Sequence, residues 1–205
     1  RLSGQGVVRG AFTQRHASVH DVAGGADFSP LLEHPETGGR VRIWRSPLSE
    51  TAVLGFEYGY SVGDPDALVL WEAQFGDFAN GGQVITDQFV AGGHSKWGQS
   101  SRLTMLLPHG YDGAGPEHSS ARVERFLQLA GEDNLTVAMP TTPAQYHGLL
   151  LEQSVDPEPR PLVVFTPKSL LRHKSVVSRL QELVTPRFEP VLPDVAGDPS
   201  AVRTA

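Results

Sequence analysis

The 205-residue chain has no cysteine, so neither a disulfide framework nor a thiolate metal site is open to it. It has no apolar run near the roughly 20 residues that span a bilayer, and no charged start followed by an apolar signal core. Positive charge is sparse and scattered: 17 Lys and Arg stand against 23 Asp and Glu, a formal charge of −6. An acidic balance without a dense basic run argues against nucleic acid or an anionic membrane as the main partner. The expectation is a soluble, cytoplasmic protein of one domain's length, or a piece of one. A chain of this size buries about 70% of the surface it would expose unfolded, enough for a core without staples.

Short apolar runs alternate with segments of helical period from about Arg40 onward, which predicts an α/β fold with a mainly parallel sheet flanked by helices. The runs Val41 to Trp44, Leu68 to Trp71, Leu103 to Leu107, Leu135 to Met139 and Leu162 to Phe165 read as buried strands. Between His118 and Ala130, the residues Val123, Phe126, Leu127 and Ala130 share one helical face. A second helix is expected from Gly81 to Ala91, burying Val84, Ile85 and Phe89, and a third after Glu50, with Val53, Phe56 and Tyr60 inward. Thr142-Pro143 opens a fourth, with Thr142 as N-cap and Pro143 at the first helical position. Residues 1 to 40 are Gly- and His-rich without sustained period and read as loops with short elements. Residues 1 to 185 are expected to form the domain. The Pro-, Asp- and Ala-rich segment 186 to 205 reads as a linker toward a further domain.

Ligands of such sheets bind at the carboxyl ends of strands. Glu50, in Ser46-Pro47-Leu48-Ser49-Glu50, sits there and suits a general acid or base. The plainer explanation, favoured on the residues alone, is that Ser49 caps the helix and Glu50 complements its dipole. The loop after Leu107 crowds His109, His118, three glycines and two prolines into one ligand-edge segment, where a ligand site and a buried cap by His118 or Ser119 are equally good explanations. Phe75 and Phe78 follow another strand end; stacking on a flat heterocycle competes there with simple core packing, the commoner role. Other motifs fail. Gly4-Gln5-Gly6-Val7-Val8-Arg9 puts Arg9 where a dinucleotide fingerprint needs glycine, and Ala17 stands between His16 and His20 where a zincin needs glutamate. No Walker loop or Gly-x-Ser-x-Gly elbow occurs.

Taken together, the strings RLSGQ, TQRHA, SPLSETAVLGFEYGY, LWEAQFGDFANGGQVITDQF, SKWGQ, LLPHGYDGAGPEHSSARVERFLQLA, PTTPAQY and RPLVVFTPKSLLRH resemble the thiamine-diphosphate-dependent first component of the 2-oxoglutarate dehydrogenase complex. The style is nearest the actinobacterial, multifunctional members, and the resemblance covers about Arg1 to His173. It implies a transketolase-like pyrimidine-binding domain that supplies half of each active site of a homodimer. Magnesium and the diphosphate of thiamine diphosphate would be held outside this chain.

By that resemblance Glu50 matches the glutamate that hydrogen-bonds N1′ of the aminopyrimidine and so promotes loss of the C2 proton. Phe78, six residues after Glu72, matches the aromatic that packs on the pyrimidine, and Leu48 joins it as a cofactor-binding residue. His118 matches the histidine that faces substrate, holding a carboxylate or moving protons. The parent activity implied is oxidative decarboxylation of 2-oxoglutarate with succinyl transfer to the lipoyl group of a dihydrolipoyl succinyltransferase. The alternatives are a nonoxidative decarboxylase or carboligase, or a noncatalytic dimerisation module. The chain departs from the pattern at Gly6, where an acidic residue is expected, at Leu149 to Glu152, where Arg-Arg is usual, and in the acidic, Pro-rich Val155 to Pro159.

Overall fold

The computed structural model describes residues 1–31, 39–112 and 115–193. Six strands form one parallel sheet: β1 (Leu2–Gly4), β4 (Ile43–Arg45), β5 (Val69–Glu72), β6 (Leu103–His109), β7 (Thr136–Ala138) and β8 (Leu162–Pro167). Their order across the sheet is β4-β1-β5-β6-β8-β7. Two further strands, β2 (Val19–His20) and β3 (Asp27–Phe28), make a small antiparallel pair. The α/β architecture and parallel sheet are those expected from the sequence. All five expected strands are present, but β4 is shifted toward Arg45 and, expected buried, lies at the edge of the sheet with Trp44 52% exposed.

β1 was not foreseen as a strand. Three residues with one large apolar side chain carry no readable period. What makes it a strand is its position: it is hydrogen-bonded on both sides, to β4 in register Leu2 with Ile43 and to β5 in register Leu2 with Leu70.

Helices α1 (Glu50–Gly63) and α5 (Pro143–Val155) are the long ones. In α1 the buried face is Val53, Leu54, Glu57, Tyr58 and Ser61, whereas Phe56, expected inward, is 55% exposed. Polar residues can occupy this face because each is satisfied. The Arg1 guanidinium donates two hydrogen bonds to Glu57, at 2.6 and 2.8 Å, and the Ser61 and Ser101 hydroxyls pair at 2.7 Å.

The expected helix from Gly81 to Ala91 breaks into a 3₁₀ segment (Gly76–Gly82), a short α2 (Gln83–Ile85) and a π turn (Thr86–Val90). These changes of winding rotate the buried face. Val84 and Phe89 turn outward at 65% and 38% exposure, and Thr86, Val90 and Ala91 go in. α3 (Gly93–Trp97) follows and ends at Gly98, in the left-handed region with φ 64°.

α4 (Val123–Leu129) is shorter than its expected span, because residues 116–118 form a separate 3₁₀ turn. Phe126 is buried as expected, but Leu127 is 58% exposed. In α5 Thr142 Oγ1 accepts the Gln145 N–H at 3.3 Å, the predicted N-cap. α6 (Leu180–Val184) completes the helices.

The sheet is covered on both faces. One core holds Leu54, Trp71, Met105, Phe126 and Phe165, and the other Leu106, Ala138, Leu149, Leu162 and Val164. Beyond α6 the chain docks on α5: the Phe188 and Glu189 N–H groups donate to Glu152 and Gln145, each at 3.0 Å. Gly148 permits this, since a Cβ there would lie 2.7 Å from the Arg187 backbone. Residues 194–205 of the expected linker lie outside the described residues. Among the described residues no helix is long and apolar enough to cross a membrane.

Candidate active site

The carboxyl end of β4 leads through Ser46-Pro47-Leu48-Ser49 directly into α1, so Glu50 stands in the first turn of that helix. The Ser46 N–H donates to Gly4 O at 3.0 Å, tying this connection to the end of β1. The Leu48 N–H donates to Ser46 Oγ at 3.3 Å, and Leu48 is half exposed. Ser49 is the N-cap residue by position, but its side chain makes no capping hydrogen bond. The first half of the purely local explanation for Ser49-Glu50 therefore fails.

Glu50 is partly buried against the glycine pair Gly81-Gly82. A Cβ at Gly81 would come within 3.4 Å of Glu50 Oε2, and one at Gly82 within 3.3 Å of Glu50 O. The Thr51 hydroxyl donates to Gly81 O. Two residues without side chains thus let the 3₁₀ segment lie flat on the start of α1.

The same 3₁₀ segment carries Phe78, three residues before Gly81, and there the structure brings two expected site residues together. Phe78 and His118 rings meet edge to face at 5.3 Å, and Phe75 touches both, at 5.4 and 4.3 Å. Phe12 extends the cluster, 5.6 Å from Phe75. Such edge-to-face contacts fix ring orientation as well as burying area. Glu50 does not join this aromatic cluster and meets it only through the Gly76–Gly82 segment.

Three contacts hold the cluster. Asp77, buried beside Phe78, pairs with the Arg122 guanidinium, which bridges the 3₁₀ segment to the start of α4. Arg122 itself has φ 56°, a left-handed conformation that costs a non-glycine residue energy and is retained where the surroundings impose it. Gly76 abuts Ala121, where a Cβ would fall 2.5 Å from both Ala121 Cβ and Pro108 O. Finally, Lys168 at the end of β8 donates through Nζ to His118 O at 2.8 Å.

His109, at the end of β6, accepts the Ala121 N–H on Nδ1 at 3.0 Å. A neutral ring in that arrangement carries its proton on Nε2. Burial lowers its pKa, the Lys168 charge lowers it further, and Glu124 opposes both. A lowered pKa means that the folded loop prefers neutral His109. The stability this contributes is full above the ordinary imidazole value of about 6.5 and is lost as pH falls through the lower folded value. The protection factor of the Ala121 amide, its exchange rate followed by mass spectrometry and corrected for the intrinsic slowing of exchange in acid, is expected to fall on acidification from neutrality. Replacing His109 by Phe should remove the pH dependence that the imidazole contributes.

Several organising residues escaped the sequence reading. Arg15 and Glu72 form a two-pronged ion pair at 2.9 and 2.6 Å beside Tyr146, under a cavity of about 260 Å³ that Pro140, Thr166 and Leu170 help to line. Burial pushes the Tyr146 phenol up to about 12, against the pull of Arg15 and with the help of Glu72. Lys168 and the Asp77–Arg122 pair also went unnoticed. Lys168 follows the apolar run of β8, and that position was its one available signal, whereas Asp77 and Arg122 had none.

A family model described as the pyrimidine binding domain of transketolase matches residues 1–174. The chain belongs to that family. Glu50, Phe78 and His118 all lie within the matched span of this pyrimidine-binding domain. The domain is 54% identical over 198 residues to the multifunctional 2-oxoglutarate metabolism enzyme of Mycobacterium sp. (strain JLS), covering 94% of this chain and 16% of that protein. It is 53% identical over 203 residues to the 2-oxoglutarate dehydrogenase E1 component of Azotobacter vinelandii, covering 98% of this chain and 22% of that protein. The domain thus spans less than a quarter of the length of either relative.

Proposed function

We propose that this domain contributes the aminopyrimidine side of the active site in a thiamine-diphosphate-dependent 2-oxoglutarate dehydrogenase. The observation that carries the reading is the placement of Glu50 in the first turn of α1, at the carboxyl edge of the sheet, with glycine rather than a side chain opposite its carboxylate. The names of two relatives more than half identical to this chain point to the same substrate.

The residues present fit the cofactor. An aminopyrimidine needs a carboxylate at N1′ and a flat apolar wall. On this reading Glu50 would provide the first and Phe78, set by its contacts with Phe75 and His118, the second, with half-exposed Leu48 two residues before Glu50 beside them. When bound, thiamine diphosphate supplies a carbon acid that, once deprotonated, adds to a 2-oxo acid and accepts the electron pair left by CO2. Glu50 holds and shares the proton at N1′. Phe78 and Leu48 keep the ring in register with it. His118, in edge-to-face contact with Phe78, would face substrate and either hold a carboxylate or move a proton.

Magnesium and the diphosphate would be held by residues outside this chain, across the interface of a homodimer. Phe56, Val84 and Trp97 are each more than half exposed on α1, α2 and α3, which supports a covered face there. The succinyl group would pass to the lipoyl arm of a dihydrolipoyl succinyltransferase in the cytoplasm, and residues 186–205 would lead toward a further domain.

The test is CO2 release from 2-oxoglutarate by the full-length protein with and without thiamine diphosphate and magnesium. Release that requires both, with succinyl transfer to lipoyl, is the expected result. Succinic semialdehyde in the presence of lipoyl acceptor would point to nonoxidative decarboxylation, and no release at all would overturn the proposal.

A further inference from the structure

The carboxyl edge of the sheet carries a recess on the face opposite the aromatic cluster around Phe78. It is the cavity of about 260 Å³ between the ends of β5 and β8 and the turn into α5. Tyr146, on its wall, packs on the core beneath α5, whereas Ala79 and Ala121, beside the cluster, belong to the core on the other face. None of Leu48, Glu50, Phe78 and His118 lines it.

Its lining decides what could occupy it. Pro140, Pro167, Leu170, Leu171 and Val176 make most of the wall apolar. Among the described residues only two full charges line it, Arg15 and Glu72, and they bind each other through two hydrogen bonds at 2.9 and 2.6 Å. A charged occupant would give up its water and meet no free counter-charge, so the cavity selects against ions. The polar capacity left over is that of donors. Gln14 Oε1 accepts the Phe12 N–H at 3.0 Å, which leaves the Nε2 end of that amide to donate. The Tyr146 phenol, pushed up to about 12 by burial, keeps its proton at neutral pH. An apolar cavity of about 150 Å³ admits benzene, so this one has room for a ring and several further atoms.

One side chain couples such an occupant to the aromatic cluster. Gln14 lines the cavity and also holds Phe12, whose ring lies 5.6 Å from Phe75, and Phe75 touches both Phe78 and His118. We infer that the cavity binds a small uncharged molecule, an apolar ring bearing one carbonyl group, and that this molecule steadies Phe12. A carbonyl that accepts from Gln14 Nε2 holds the amide in the orientation in which Oε1 receives the Phe12 N–H. The binding stands on the lining alone, and its bearing on catalysis rests on the active site proposed above.

The experiment uses the full-length protein and N-methylbenzamide as the probe, with benzoate as a charged counterpart of similar size. Titration by saturation-transfer NMR is expected to give a dissociation constant on the order of 1 mM, the scale for about ten non-hydrogen atoms. Benzoate should bind at least about tenfold more weakly. Hydrogen exchange of the peptide containing Phe12, read by mass spectrometry at saturating probe, should slow by about twofold to tenfold, the worth of one neutral hydrogen bond. Gln14→Glu keeps an acceptor for the Phe12 N–H and lacks the donor, so it should weaken probe binding by about fivefold or more. Leu171→Trp fills the cavity and should abolish binding; if that variant does not fold, Val176→Trp reads the same outcome.

Absence of saturable binding, equal binding of benzoate, binding that survives the filling variants, or binding that leaves Phe12 exchange unchanged would overturn the inference. Absence of CO2 release from the unmodified protein, with the probe still bound, would instead strike the proposed reaction and leave the cavity's ligand class in place.

Discussion

Glu50→Gln in the full-length protein is expected to slow deuterium exchange at C2 of bound thiamine diphosphate by about 10² to 10⁴-fold, the usual worth of a positioned acid or base. The amide has the shape of the carboxyl group, so the contact with Gly81 and the register of α1 against the 3₁₀ segment survive. What is lost is a proton that can be shared. The carboxylate of Glu50 lies in the first turn of α1, where the free N–H groups and the helix dipole favour negative charge. Glutamine cannot carry that charge. Cofactor affinity should change far less than the exchange rate if, as proposed, the diphosphate is held outside this chain. Unchanged exchange in the variant would remove Glu50 from the reaction.

The second large effect is structural. Glu72→Ala strips the carboxylate from Arg15 and leaves its guanidinium with Val7 O at 2.9 Å and the neighbouring Tyr146 hydroxyl. Breaking a buried pair from one side costs about 3 to 5 kcal/mol. The lower end applies, because Arg15 borders the cavity beside Tyr146 and water can reach it. Replacing both residues by apolar ones, Arg15→Met with Glu72→Leu, is expected to cost much less than the single change, since no orphaned charge remains. Trp71 precedes Glu72 and is 1% exposed, so its fluorescence during urea unfolding reports on this part of the sheet. Equal destabilisation by the single and double variants would show that the pair contributes favourably in its own right.

Strands declared themselves in the sequence where apolar residues ran together, as in Leu103 to Leu107 and Leu162 to Phe165. β1 did not, because its burial comes from two neighbours that no three-residue string reveals. The two long helices, α1 and α5, were legible in position, whereas helix faces were read only in part. Glu57 and Ser61 point inward on α1 because partners distant in sequence satisfy them, and a count of apolar spacing assigns such residues to solvent. At the candidate site, composition alone favoured a cap for Ser49-Glu50. The structure contradicts the Ser49 half of that reading, whereas Glu50 stands on its resemblance and on the space Gly81 leaves. Phe78 and His118 lie 40 residues apart and become neighbours through Asp77–Arg122 and Lys168, contacts that depend on the assembled sheet.

The strand order also bears on how the chain is made. β8 is the last strand to leave the ribosome, yet it lies between β6 and β7. Until residues 162–167 emerge, β7 has no partner in the sheet and β6 presents an open edge whose residues from Leu103 to Pro108 are all destined for burial. An unfinished chain therefore displays an apolar strand ready to pair with another like it. Nascent chains halted before Leu162 should aggregate or engage chaperones, and those long enough for Pro167 to have cleared the ribosome should not.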